Sequence, residues 1–489
     1  MAERLAFNLW GAGRTLRGSV DWVKAPESGN LPDAAATYLP PIEKPNWGFW
    51  GVFAFTALLF FRPQDTVAAL RPLHLPELVA IGALVAMVTH RLGKQLPLVR
   101  VSPETIVVAF MAFVMLATVP FSVWPGGALG TFTDVYFKVV LVFLLMVNCV
   151  RSVKALRALT WLILIAVGYV AARGVLDFAS GTNLMKGERL HGSISGMMGN
   201  PNDLAMNMVT FMPLAVVIAI TKGRTLPRVA AGVIAALMMA TIIFTKSRAG
   251  LLGLAAALVI LVIEGRRLRP GLGVAAIVAL LMAPAFMPSW FWVRIASITD
   301  PEAEDSGSRQ ARKDLMWEGW QTFLDYPFTG VGAGQFKNYN PAGRLEPWRE
   351  THNVLLQIAA ELGIFGLLAF LTLLWQGFSA LLWTRRMFSV GKQAARPPTA
   401  EAGTIPVTEA FRADERAWMQ MHAVAMSASL VGWFVCAQFA SIGYYWTFYY
   451  MFALIVAGRE LATDRIVAAH KATRPARRPA WQKQEFARA

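Results

Sequence analysis

"THNVLLQIAAELGIFGLLAFLTLLWQGFSALLW", residues 351–383, decides the fold. Three polar residues, Thr351, His352 and Asn353, open onto an apolar run of about thirty residues, more than the ~20 that cross a bilayer once. Such a run has no place in the core of a soluble domain. Its first turns are expected to project above the lipid or to line a cavity, with Gly363 and Gly366 as bending points. Just upstream, "EPWRETHN" is charged and aromatic. His352 therefore stands where a water-exposed loop enters a membrane helix.

The rest of the chain agrees. Of its 489 residues 56% are hydrophobic and only 16% charged, and the mean hydropathy is +0.46. Apolar runs of near-spanning length fall near 47–61, 75–90, 105–123, 132–149, 156–175, 203–221, 228–244, 249–264, 271–288, 354–384, 418–438 and 441–458. The fold class is all-α: a polytopic membrane protein of about twelve transmembrane helices. A cytoplasmic segment 1–46 precedes helices 1–9 (47–288). A large loop, 289–353, carries a short amphipathic helix, and helices 10–12 (354–458) enclose a loop at 385–417. A basic tail, 459–489, is expected to lie against anionic lipid. No signal peptide is evident, and Cys149 and Cys436 are assigned to packing.

Every second short loop is basic: Arg91, Lys94 and Arg100; Arg151, Lys154 and Arg157; Lys222, Arg224 and Arg228; Arg266, Arg267 and Arg269. The positive-inside rule makes these loops cytoplasmic. The net charge of +16 is then largely a topology signal, which excludes nucleic acid as the explanation. The segments around 176–202, 245–248 and 289–350 face the other side. Basic residues there are informative, because short external loops should carry few.

Four external features meet that description. In "GERLHGSISGMMGNPNDLA", Arg189 leads into Asn200 and Asn202, with Asn202 or Asp203 available to cap the following helix. In "FTKSRAGLLGL", Lys246 and Arg248 sit in a tight turn between two apolar runs, where snorkelling to headgroups competes with function. In "DSGSRQARKDLMWEGWQTFLDYPFTGVGAGQF", Ser306 or Ser308 starts a helix to about residue 325. Arg312 and Arg309 lie in its first turns, and Leu315, Met316, Trp320, Phe323 and Leu324 form one apolar stripe. Gly330, Gly332 and Gly334 only weakly resemble a phosphate loop, since no lysine-led helix follows. The fourth feature is His352. Guanidinium groups grip phosphate oxygens through paired N–H donors, and a neutral imidazole can take a proton from a hydroxyl. Together they suit transfer from a lipid diphosphate. No metal-ligand spacing occurs, so neither metal nor other cofactor is expected.

"KSRAGLLG", the "R…W…YPFTGVGAGQF" block and "THNVLLQIAAELGIFG", with "GNPNDLA" upstream, resemble the O-antigen ligase and polymerase superfamily over roughly residues 185–385. The resemblance implies transfer of a glycan from undecaprenyl diphosphate to an acceptor hydroxyl at the periplasmic face of the bacterial inner membrane. In ligases the acceptor is a lipid A-core sugar and the anomeric centre inverts. By position, Arg248 matches the arginine of the "SRAG" turn, Arg312 the arginine ahead of the tryptophan block, and His352 the histidine before "N…ELG". Arg189 matches a basic position ahead of "NPN". The arginine-to-tryptophan spacing is one residue longer than the commonest form, so Arg309 and Arg312 both fit. The expected catalytic set is His352, Arg248 and Arg312, with Arg189, Arg309, Asn200, Asn202 and Lys246 binding substrate. A polymerase joining lipid-linked repeats, or a protein O-oligosaccharyltransferase, would use the same parts. An anion transporter is a remoter reading, disfavoured because no inverted halves are visible.

Overall fold

The structure is a computed structural model. It describes residues 46–63, 67–185, 188–192, 198–265, 308–345, 347–388 and 410–473. The expected span at 271–288, the segment 1–45, Ser306, most of the 389–412 connection and the tail after 473 lie outside these residues.

Twelve helices account for nearly all of what is described. They are α1 (Trp47–Phe61), α2 (Leu75–Gly93), α3 (Pro103–Thr118), α4 (Pro125–Cys149), α5 (Val153–Ala179), α6 (Pro201–Ile220), α7 (Thr225–Phe244), α8 (Arg248–Gly265), α9 (Ser308–Asp325), α10 (Val354–Phe388), α11 (Ala413–Ala437) and α12 (Trp446–Thr473). The chain is an all-α polytopic membrane protein: among the described residues nine helices are long and apolar enough to cross a bilayer. Among the described residues the strands are confined to a two-residue pair, Leu184–Met185 against Arg189–Leu190.

Local chemistry sets the helix starts. Asn46, Ser102 and Ser152 accept from Phe49, Thr105 and Ala155 N–H at 2.9, 3.2 and 3.1 Å. α6 begins with Pro201 and is capped by Asn200, whose Oδ1 accepts from the Asn202 and Asp203 N–H groups at 2.9 Å each. The cap is thus two residues upstream of Asn202 and three upstream of Asp203, the residues expected to supply it, because Pro201 fixes the first helical turn and leaves Asn200 extended (φ −103°, ψ 159°).

α6 and α11 run through the interior, buried on most sides. α2 and α7 are peripheral and expose Leu78, Ile81 and Val85, and Leu226, Val229 and Val233. Exposed apolar rows on spanning helices are lipid-facing surface. The first two basic clusters converge at one end of the bundle with acidic partners, and Arg266, Arg267 and Arg269 lie outside the described residues. Arg100 and Arg151 meet Asp464 at 2.5 and 2.7 Å, Arg465 meets Glu415 at 2.7 Å, and Arg459 grips the buried Glu104. α12 supplies many of these partners because it runs on to Thr473, beyond the expected end near 458.

Two elements depart from expectation in instructive ways. α9 does not carry a single apolar stripe. Leu315 is fully buried with Ala311 and Thr322, whereas Met316, Trp317, Trp320 and Leu324 are exposed on the opposite face. Simple spacing missed this because the helix is apolar on two sides. α10 is broken at Gly363, whose φ of 64° and ψ of −161° no other residue adopts comfortably.

The break is filled by the glycine turn after α9. Val331 and Gly332 N–H donate to the carbonyls of Ala360 and Glu361 at 2.9 Å each, and Ile364 N–H donates to Pro327 O at 2.7 Å. The Glu361 carboxylate accepts from Gly334 N–H at 2.9 Å and Phe336 N–H at 3.4 Å. The backbone donors that weakly suggested a phosphate cradle are thus turned inward onto this chain's own carboxylate and helix carbonyls.

Candidate functional site

The ends of α5, α7 and α11 and the starts of α6, α8, α10 and α12 meet at the end of the bundle opposite the paired basic clusters. The site is assembled from these termini. In the α7–α8 turn, Lys246 takes a positive φ of 50° and Ser247 caps α8, accepting from Gly250 N–H at 3.2 Å. Gly250 allows this turn to sit against α6: a Cβ there would lie 2.6 Å from that of Ala205.

Arg189 ties three segments together. Its Nε donates to Thr245 O at 3.1 Å and its Nη2 to Asn202 Oδ1 at 3.1 Å, and Ser247 Oγ donates to the same Asn202 oxygen at 2.8 Å. Asn202 is therefore the junction between the Arg189 loop and the turn that carries Arg248. Lys246 Nζ pairs with Glu188 at 3.5 Å. Arg248 is the first residue of α8.

His352 reaches this group through α11. Cys436 Sγ, near the end of α11, donates to Ala249 O at 3.4 Å. Two residues on, Gln438 accepts from Asn353 Nδ2 through both its backbone O and its Oε1, at 3.3 Å each. Asn353 caps α10 by accepting from Leu355 and Leu356 N–H at 3.0 and 3.1 Å. His352 precedes that cap, half-buried, in a left-handed conformation with φ 50°.

Burial holds the His352 imidazole below its ordinary 6.5, and the Arg312 and Arg349 guanidiniums act in the same direction. Arg312 is therefore an electrostatic neighbour of His352. Burial also raises the Glu350 carboxyl, with Lys337 opposing. Tyr445 is pushed up to about 12 by burial, with Glu350, Asp203 and Glu361 adding to it.

Arg189, Asn200, Asn202, Lys246, Arg248 and His352 belong to this one end through the contacts above, and Arg312, in the second turn of α9, acts on His352 through its charge. Arg309 falls in the first turn of α9, and its side chain lies outside the described set. Asn200 spends its carbonyl oxygen on the α6 cap and its amide on Asp203.

Sequence reasoning overlooked several neighbours. Arg349 meets the criterion that picked out Arg189, a basic residue in a loop expected to be external, but its neighbour His352 drew the reading instead. Arg344 is structural: buried against Glu318 at 3.2 Å, it donates to Phe336 O at 2.8 Å and Arg349 O at 2.9 Å, which pins the loop before His352 onto α9. Ser441 and Gln438, in the α11–α12 connection, gave no signal. Among the described residues no group of three or more His, Cys, Asp or Glu side chains is placed to hold a metal ion.

A hydroxyl brought to the imidazole could lose a proton there, and an anionic leaving group would find fixed cations close by. Against known proteins, residues 233–371 match the family model described as "O-Antigen ligase". No curated protein matches the chain.

Proposed function

We propose, from the match of residues 233–371 to the family model described as "O-Antigen ligase", that the chain is a ligase-type glycosyltransferase working at the periplasmic face of the inner membrane. A glycan linked to undecaprenyl diphosphate is the donor, and the hydroxyl of a lipid A-core sugar is the acceptor. His352 removes the hydroxyl proton as the oxygen attacks the anomeric carbon. The bond from that carbon to the diphosphate breaks with inversion, and undecaprenyl diphosphate leaves. Arg248 and Arg312 stabilise the charge that grows on its bridging oxygen. Arg189, Asn202 and Lys246 bind nearer the sugar-diphosphate, with Arg309 and Asn200 at the margin.

One observation carries this reading: His352 stands on a loop hydrogen-bonded through Gln438, and by way of Cys436, to the first turn of α8, which begins with Arg248, and the Arg312 and Arg349 charges act on its imidazole. A neutral base and phosphate-binding forks are what the transfer requires. Purified protein given a lipid-linked glycan and, in turn, core lipid, a second lipid-linked glycan or a polypeptide tests it. Capped core lipid is the expected product. Longer lipid-linked chains make it a polymerase, and a modified polypeptide a protein glycosylating enzyme. His352→Ala should abolish product while the protein remains inserted and folded; near-normal turnover would remove the base.

A further inference from the structure

His352 holds a positive φ that costs a side-chain-bearing residue energy, so something must hold it there. The restraint comes from 89 residues away: the His352 N–H donates to Ser441 Oγ at 3.0 Å. The same oxygen lies 3.0 Å from Thr351 Oγ1, which donates in turn to Asn353 O at 3.0 Å. Thr351 is fully buried, and Ser441 is 5% exposed.

Ser441 is itself held. Two residues on, Gly443 N–H donates to Gln357 Oε1 at 3.0 Å, and Tyr449 Oη donates to Gly443 O at 3.2 Å. Gln357 Nε2 donates to Glu361 Oε2 at 3.4 Å, the carboxylate that also receives the Gly334 N–H. A hydrogen-bonded path therefore runs from the break in α10 to the α11–α12 connection and back to the histidine peptide. Glu361, Gln357, Tyr449, Ser441 and Thr351 along it are all buried.

We propose that Ser441 is a positioning residue for His352, and that the α11–α12 connection sets the direction of its imidazole through this hydroxyl. The inference rests on the reading of His352 as the base. Without the Ser441 oxygen, the His352 N–H loses its acceptor and the backbone relaxes from the left-handed region, which swings the ring off the acceptor hydroxyl. The arginines stand on other elements and keep their grip on the diphosphate. The loss therefore falls on kcat rather than on KM for the donor.

The test uses the full chain in lipid nanodiscs. Ser441→Ala should lower kcat between about ten- and a hundred-fold with little change in donor KM. It should also alter the rate at which diethyl pyrocarbonate modifies His352, read by peptide mass spectrometry across pH. Ser441→Thr keeps a hydroxyl at the position and should restore both. Gln357→Leu, which frees the connection without touching Ser441, should act in the same direction and serves if Ser441→Ala does not fold. Unchanged kcat and unchanged histidine modification in a folded Ser441→Ala protein would overturn the proposal. Histidine modification is read without any transfer. Absence of product from the unaltered protein with every acceptor class would therefore count against the functional reading alone, leaving Ser441 to be judged on reactivity.

Discussion

At the scale of the residue, the decisive group is the His352 imidazole, kept below 6.5 first by burial and then by the Arg312 and Arg349 charges. A lowered value means that the ring stays neutral, and able to accept a proton, to a lower pH than a free histidine. The acid limb of the kcat/KM profile should therefore fall below 6.5. Arg349→Ala removes one repelling charge, so the histidine value should rise and the limb move to higher pH. A pH–rate series on the two proteins checks the direction, and a limb that stays put would detach Arg349 from the base. Arg248 and Arg312 could be singled out as candidates in the sequence because an external loop of a membrane protein has few reasons to be basic, and His352 because it stands where a polar loop enters an apolar run. Ser441 could not: a serine in a short polar connection is unremarkable until its partner across 89 residues is known.

At the scale of the element, α10 matters most. A straight helix of its 35 residues would run about 50 Å, well beyond the ~30 Å of hydrocarbon. The break at Gly363 divides it, and the glycine turn supplies the hydrogen bonds that the break removes. A Cβ at Gly363 would come within 2.6 Å of the Phe328 carbonyl carbon. Gly363→Ala should cost about 1–3 kcal/mol or more from backbone strain alone, read as a lower melting temperature of purified protein. An unchanged melting temperature would mean that the turn yields easily. α9 offers a second test. Its outward row of Met316, Trp317, Trp320 and Leu324 continues, through the Phe328–Phe365 ring pair at 6.4 Å, into the exposed row Leu368, Leu371 and Trp375 of α10. A nitroxide at Trp317→Cys should accordingly be more accessible to oxygen than to a water-soluble nickel chelate, with Ala342→Cys as the aqueous control; the reverse order at residue 317 would lift α9 off the lipid. Periodicity found α9 but could not say which of its two apolar sides faces inward, because that depends on Gly319 and Thr351 packing together.

At the scale of the whole molecule, charge separates the two ends. The paired basic clusters gather around Glu104, Glu460 and Asp464, and the candidate site occupies the other end. The two cysteines are buried, so added ones can be labelled selectively. In intact spheroplasts an impermeant maleimide should modify Ala342→Cys and spare Lys222→Cys; the opposite pattern would turn the site toward the cytosol. The order of the described spans could be read from hydropathy, because each must be apolar over its own length. Which helices touch could not, since lipid-facing and buried positions are equally apolar in a bilayer. The Asn202 junction and the Ser441 hook carry a last consequence for anyone recombining such proteins. Both lie outside residues 233–371. A chimaera that grafts that block alone onto a foreign scaffold would import Arg248, Arg312 and His352 without the socket that seats them, and exchanging the α5–α6 and α11–α12 connections along with it is what should make the transplant live.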